Sequence, residues 1–129
     1  MQRIVLDTSI IIDHIRQPDK PETVFTQLLQ KYSLIIALIT VTELFSGSSI
    51  QKLKERERLE TILSVLDIYI PDMNLARQSG LLRGIRKIAT ADAQIAMTAI
   101  ILKLPLATLD TRDFAKIPDL QLLPLPSFS

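Results

Sequence analysis

Cysteine is absent from this 129-residue chain, and histidine occurs once. The lack of cysteine excludes disulfides, thiolate catalysis and cysteine-based metal sites, and a single histidine excludes a histidine-rich zinc site. Dipeptides that favour tight hairpins, such as Asn-Gly, are also missing. Any metal site in this protein must therefore be built mainly from oxygen ligands.

Neither sign of charge dominates, because 15 Lys and Arg residues face 14 Asp and Glu residues, so bulk charge indicates no partner. Leu, Ile and Val make up one third of the chain, which excludes intrinsic disorder. The apolar segment at residues 88–109 contains Asp92, Lys103 and Pro105, which a membrane span would not bury. We therefore expect one cytoplasmic domain over residues 1–129, with no membrane segment.

Short unbroken apolar runs alternate with amphipathic segments. The apolar runs predict strands at residues 4–6, 34–38, 68–70 and 106–109, with an edge strand at 120–123. Helices are predicted at residues 9–16, 22–32, 51–66, 72–87 and 90–102, with a further helix capped by Thr40 or Thr42. This alternation predicts a mostly parallel sheet of four to five strands with helices on two faces, a three-layer α/β/α fold.

Helical periodicity also predicts which residues face the core. It places Leu53 on the inner face of the helix at 51–66, and Leu75, Leu81, Leu82 and Ile85 on that of the helix at 72–87. Met73 is expected to fill the core as well.

Acidic side chains follow the predicted strands. Asp7 follows the first strand, Glu43 lies in the helix after the second, and Asp92 begins the helix before the fourth; Asp110 and Asp113 follow the fourth strand. Because ligands of an open parallel sheet bind beyond the carboxyl ends of its strands, we expect these acids to meet there. An acid at such a position is often only a helix cap, but Glu43 and Asp92 lie in apolar segments where a buried charge is costly.

Several carboxylates in one place repel each other, and a hard divalent cation relieves that repulsion. Mg²⁺ and Mn²⁺ prefer oxygen ligands, lower the pKa of a bound water and stabilise charge on a phosphate. The sequence therefore predicts metal-assisted hydrolysis.

Four segments carry a family resemblance, and they occur in the family's order along the chain: Ile4-Val-Leu-Asp-Thr-Ser9, Ile39-Thr-Val-Thr-Glu-Leu-Phe-Ser-Gly47, Ala91-Asp-Ala-Gln-Ile-Ala96 and Ala107-Thr-Leu-Asp-Thr-Arg-Asp-Phe114. Together they resemble PIN-domain ribonucleases, particularly the VapC toxins of toxin–antitoxin pairs. The resemblance implies a single PIN-like domain and a Mg²⁺- or Mn²⁺-dependent endoribonuclease.

The resemblance also implies roles for the acids. Asp7 and Asp92 match direct metal ligands, and Glu43 matches a residue that ligates the metal, holds a water or acts as base. Asp110, favoured for its place at the strand end, completes the negative pocket, and Asp113 could serve in addition or instead.

Further residues and partners follow from the same resemblance. It implies a homodimer and a VapB-type antitoxin whose C-terminal segment fills the active-site groove. The hydroxyls of Thr8 and Thr108 could position the metal or a water. Cations near the groove would hold RNA, and the candidates are Arg112, Arg83, Arg86 and Lys87.

Two alternatives stay open at this stage. The segment Val65-Leu-Asp-Ile-Tyr-Ile-Pro-Asp-Met-Asn74 looks like the phospho-acceptor strand of a receiver domain, with Asp67 taking the phosphoryl group. Against it, Asp67 precedes its predicted strand, and Asp7 lacks an adjacent acid. The second alternative is a non-catalytic PIN-like binding module, against which the intact set of acids argues.

Overall fold

The structure, a computed structural model, describes residues 1–126. Its strands form one parallel sheet in the order β3-β2-β1-β4. The strands are β1 (Arg3–Leu6), β2 (Ser33–Ala37), β3 (Asp67–Tyr69) and β4 (Leu106–Ala107). The predicted α/β fold class is confirmed.

Helices connect the strands and cover both faces of the sheet. They are α1 (Thr8–Ile15), α2 (Val24–Lys31), α3 (Leu38–Phe45), α4 (Leu53–Leu63), α5 (Met73–Ile85), α6 (Thr90–Leu102) and α7 (Thr111–Phe114), with a 3₁₀ turn at Ser48–Gln51. Within the described part of the chain, no helix is long and apolar enough to cross a membrane.

The alternation of side chains along β1 divides the interior into two cores. Ile4 and Leu6 point to the core covered by α1 to α4, and Val5 points to the core covered by α5, α6 and α7. All three side chains are fully buried, as expected for a parallel strand covered on both sides.

The order of the strands fixes where a ligand can bind. The chain passes from β1 to β2 to β3 on one side and then returns to place β4 on the other side of β1. A parallel sheet leaves a crevice at the carboxyl ends of its strands where the winding direction reverses. Asp7, which directly follows β1, lies at that point.

Several sequence-based boundaries were wrong. The predicted fifth strand is a single bridge between Leu122 and Leu106, although Leu106 exchanges backbone hydrogen bonds with Gln121 and Leu123 on either side of it. Helix α3 begins at Leu38 directly after β2, with no side-chain cap from Thr40 or Thr42.

The predicted burial of four apolar residues was also wrong. Leu53, Met73, Leu81 and Ile85 are between 63% and 76% exposed. On α5 the buried residues are Leu75, Ser79 and Leu82. The helix thus buries one narrow stripe and presents further apolar residues on another face, so apolar periodicity alone could not separate the two.

The end of α6 generates a stability prediction. Lys103 ends this helix in the left-handed region, at φ 57°, and its N–H and that of Leu104 bond back to the last turn. Glycine adopts this conformation without a Cβ penalty. We expect Lys103→Gly to raise the free energy of unfolding by about 1 kcal/mol in urea denaturation. Lys116→Gly, at an exposed position without positive φ, is the control and should not stabilise; equal effects of the two changes would contradict the argument.

Candidate active site

Asp7 is buried and held by two hydroxyl groups. The hydroxyls of Ser9 and Thr108 donate to its Oδ2 at 2.7 and 2.8 Å. Its backbone N–H donates to the carbonyl oxygen of Ala107 at 2.8 Å. Side chain and backbone are therefore both fixed between the ends of β1 and β4.

The same two hydroxyls position the loop after β4. Ser9 Oγ accepts the N–H of Leu109 at 3.1 Å, and Thr108 Oγ1 accepts the N–H of Asp110 at 2.9 Å. Each hydroxyl thus links a backbone N–H to the carboxylate of Asp7. Thr108 thereby ties the backbone of Asp110 to the carboxylate of Asp7, although the two residues are 103 positions apart in sequence.

A second network of hydroxyl groups connects α1 to Glu43. The hydroxyl of Thr8 donates to Glu43 Oε1 at 2.7 Å and lies 3.0 Å from Thr40 Oγ1. Thr8 and Thr40 are buried, whereas Glu43 is half-buried. Because α3 starts directly after β2, its second turn brings Glu43 to the same edge of the sheet as Asp7.

Asp92, in the first turn of α6, interacts electrostatically with all the other candidate acids. Its pKa is raised from the ordinary 3.8 to about 6, first by burial and then by the negative charges of Asp7, Glu43, Asp110 and Asp113, in that order. The structure therefore brings the five predicted acids into one electrostatic cluster, which we call the acid cluster.

The two acids after β4 differ in their setting. Asp110 precedes α7 and is fixed through its N–H, whereas Asp113 lies within α7; both are exposed. Asp110 also raises the pKa of Asp92 more than Asp113 does.

The predicted RNA-binding cations are exposed but scattered. Arg112 lies on α7 between the two acids of that segment, and Arg86 and Lys87 follow α5. Arg83 lies on α5, where its Nε donates to the carbonyl oxygen of Ile88 at 3.1 Å. Within residues 1–126, none of these cations forms an ion pair with the acid cluster.

Sequence reasoning missed Ser9 and Thr40. Both contribute hydroxyls to the two networks, one beside Asp7 and the other beside Thr8. The signal was present in their spacing, since Ser9 is two residues after Asp7, and Thr40 is three residues before Glu43 on the same helix. Thr40 was instead taken as a candidate helix cap.

The acid cluster fits a hydrated divalent cation rather than a closed cage. Among the residues that the structure describes, no three acids lie close enough to form a complete metal cage. Mg²⁺ keeps several waters and needs only one or two direct carboxylates, with further acids acting through those waters. The all-oxygen donor set and the charge repulsion at Asp92 match this mode of binding.

An apolar groove opens beside the acid cluster. Glu43 is one of its lining residues, and the others are Ile12, Ile15, Arg16, Leu44, Gly47, Ser49 and Ile50. The groove lies between α1, α3 and the 3₁₀ turn.

The receiver alternative loses its structural basis. Asp67 is the first residue of β3, an edge strand, and its side chain is exposed. It therefore does not follow a strand into the crevice, and it is not among the charges that act on Asp92.

Comparisons with known proteins agree with this geometry. The family model described as PIN domain matches residues 4–120. A toxin–antitoxin complex from Klebsiella pneumoniae has a chain that is 30% identical, with a TM-score of 0.74 and coverage of 91% of this chain and 94% of that one. VapBC2 from Rickettsia felis, bound to a promoter DNA fragment, gives 27% identity, a TM-score of 0.79 and coverage of 95% and 98%. DNA-bound VapBC from Salmonella typhimurium gives 26% identity, a TM-score of 0.82 and coverage of 95% of this chain and 98% of that one. A search of curated proteins gives no significant match.

The raised pKa of Asp92 predicts a pH-dependent stability. The folded protein holds this proton more tightly than the unfolded chain, so stability is lost as the pH rises from 3.8 through about 6. In EDTA, Asp92→Asn should therefore raise the Tm at pH 7.5 more than at pH 4. Asp67→Asn, outside the cluster, is the control. A Tm change in Asp92→Asn that is equal at both pH values would contradict the prediction.

Proposed function

The chain belongs to the PIN domain family, and from that premise we propose that it is a metal-dependent endoribonuclease, the toxin of a VapBC-type toxin–antitoxin pair. PIN domains are generally nucleases. The observation that carries the proposal is the acid cluster at the carboxyl edge of the sheet, where burial and the neighbouring negative charges raise the pKa of Asp92. Within residues 1–126 no Lys, Arg or His forms an ion pair with these acids, so the cluster calls for a cation.

Asp7 and Asp92 are the proposed direct ligands of Mg²⁺ or Mn²⁺. The hydroxyls of Ser9 and Thr108 orient Asp7 through Oδ2, and within residues 1–126 its Oδ1 takes no hydrogen bond from the protein. When bound, the divalent cation supplies a water of lowered pKa and offsets the charge of the phosphate.

Glu43 is the proposed base or water-holding residue. Thr8 fixes its Oε1, and its Oε2 takes no hydrogen bond in the described part of the chain. A carboxylate held by one oxygen can take the proton of an attacking water with the other. The leaving oxygen of the RNA sugar would in turn take a proton from solvent.

Asp110 is proposed to complete the pocket in preference to Asp113. Its backbone is fixed by Thr108, which also bonds Asp7, so it cannot shift without disturbing that ligand. Asp113 is proposed as an outer acid at the rim, since its charge acts more weakly on Asp92.

The proposed partners are RNA and an antitoxin protein in the cytoplasm. The structural neighbours described above are toxin–antitoxin complexes, which supports an antitoxin partner. The apolar groove beside Glu43 is the proposed seat of the antitoxin's C-terminal segment, because its lining includes Glu43 of the acid cluster. A segment bound there would obstruct RNA.

A homodimer is proposed through the exposed apolar face of α5. Leu81 and Ile85 lie one turn apart on the same side of the helix, and both are exposed. Exposed apolar residues aligned on one helix are typical of a subunit interface.

We expect the purified protein, free of any antitoxin, to cleave RNA with Mg²⁺ or Mn²⁺ and to lose this activity in EDTA. Asp7→Asn and Asp92→Asn should each lower the rate roughly a thousandfold, because loss of a metal ligand removes several kcal/mol of transition-state stabilisation. Gel electrophoresis of labelled RNA measures the rate.

Asp67→Asn is the matched control, since it removes a carboxylate outside the acid cluster. It should cleave RNA at the wild-type rate. Cleavage that survives in Asp7→Asn and Asp92→Asn would overturn the proposed site, and absence of cleavage in the wild type under all metal conditions would favour a non-catalytic binding module.

For the homodimer, we expect Ile85→Glu to convert the protein to a monomer, because the interface would bury an unpaired charge. Light scattering coupled to size exclusion gives the mass. Leu53→Glu changes a similarly exposed apolar residue on α4 and should leave the dimer intact. A monomeric wild type, or a dimeric Ile85→Glu variant, would refute this interface.

A further inference from the structure

A second pocket lies between α5 and α6, separate from the apolar groove. It has a volume of about 190 Å³. Two of its residues, Thr90 and Ala93, belong to the first turn of α6, the turn that also carries Asp92. The lining residues are Ala76, Ser79, Gly80, Arg83, Thr90, Ala93 and Gln94, none of which is acidic.

Ser79 is the unusual member of this pocket. Its side chain is 4% exposed, and its hydroxyl has no hydrogen-bond partner in the described part of the chain. Leaving such a group unsatisfied is unfavourable, because the hydroxyl has lost its bonds to water and gained none from the protein. Ser79 is the single residue within residues 1–126 with a buried side-chain polar atom in this state, so the pocket offers an unused hydrogen-bonding group.

Arg83 supplies a fixed positive charge at the same pocket. Its Nε donates a hydrogen bond to the carbonyl oxygen of Ile88, which holds the guanidinium in place. Its two terminal nitrogens donate no hydrogen bond within residues 1–126. Paired guanidinium N–H groups match the geometry of phosphate oxygens.

The start of α6 adds to this positive character. No side chain caps its first turn, so its leading N–H groups stay available to an anion. Thr90 and Gln94 contribute a hydroxyl and an amide on the face of α6 that lines the pocket. Gly80 leaves the centre open, since a Cβ at this position would meet no atom within 4 Å.

We propose that this α5–α6 pocket binds a phosphate group of the RNA strand, at the same end of α6 that carries Asp92. The proposal rests on the RNA-cleaving function proposed above. A guanidinium, an unpaired hydroxyl and a helix N-terminus favour an anion and disfavour both a cation and an apolar side chain. The pocket holds the strand by its backbone, and therefore acts on any RNA sequence.

The pocket and the proposed dimer face occupy different sides of α5. The pocket uses residues 76, 79, 80 and 83, whereas the apolar face uses residues 81 and 85 on the opposite side of the helix. A dimer formed through the apolar face would therefore leave the phosphate site accessible.

The first experiment uses inorganic phosphate as the probe, in EDTA so that no metal recruits the anion to the acid cluster. Amide NMR signals of residues 79–83 and 90–94 should shift on titration. The shifts should disappear in Arg83→Gln, weaken in Ser79→Ala and persist in Lys54→Gln, which removes an equal charge from the exposed surface of α4. Unchanged pocket signals in the wild type, or undiminished shifts in Arg83→Gln, would overturn the proposal.

Ser79→Ala separates ligand binding from a structural role. Removing a buried hydroxyl that lacks a partner should raise the Tm. If Ser79 also contacts phosphate, the same variant should bind phosphate more weakly despite its higher stability. A higher Tm with unchanged phosphate affinity would exclude Ser79 from the site.

The second experiment measures RNA cleavage in Mg²⁺. Arg83→Gln should raise KM roughly tenfold with little change in kcat, because a charge-assisted hydrogen bond is lost in substrate and transition state alike. For RNA binding, the slope of log Kd against log salt should fall by about 0.7, the value for one phosphate contact on a single strand. Lys54→Gln, on α4, should change neither quantity.

The outcomes distinguish the two proposals. Phosphate binding at the pocket without RNA cleavage by the wild type would refute the nuclease and leave an anion site for free phosphate or a partner's acidic group. RNA cleavage with wild-type KM and salt slope in Arg83→Gln would keep the nuclease and refute the phosphate pocket.

Discussion

The hydroxyl of Thr108 reaches the carboxylate of Asp7 across 101 positions of sequence, and the geometry of the site depends on this contact. Together with Ser9, it fastens the loop after β4 to the end of β1. Sheet pairing alone would leave that loop free, because β4 contributes only two residues to the sheet. The position of Asp110 relative to Asp7 is therefore set by side-chain hydroxyls rather than by the backbone ladder.

A second constraint is electrostatic. Five carboxylates gathered at one edge oppose folding unless protons or cations compensate them, and burial together with the neighbouring negative charges raises the pKa of Asp92. The hydroxyls beside Asp7 and Glu43 fix single carboxylate oxygens without adding positive charge. The cluster consequently keeps its shape while retaining its need for a cation, an arrangement that trades stability for function.

The sequence was sufficient to predict the parallel sheet and the convergence of the acids, because both follow from apolar runs and from the order of strands in such folds. The sequence was insufficient to predict the positions at which tertiary contacts, rather than the local pattern of residues, decide the structure. Thr40 looks like a helix cap, yet the helix starts earlier, at Leu38. The hydroxyl of Thr40 instead accepts a hydrogen bond from that of Thr8. Leu81 and Ile85 look like core residues, yet they are exposed, since amphipathic spacing does not reveal which apolar stripe meets the sheet. The unpaired hydroxyl of Ser79 has no sequence signal at all.

The alternation along β1 has a consequence for how the gene can vary in length. Ile4 and Leu6 fill one core and Val5 the other, and Asp7 follows at the next step. An inserted or deleted codon between Ile4 and Asp7 would exchange the two sets of side chains and displace the carboxylate by one strand residue, roughly 3.3 Å. The exposed connection at residues 18–22 carries no such coupling and is where length variation would be tolerated.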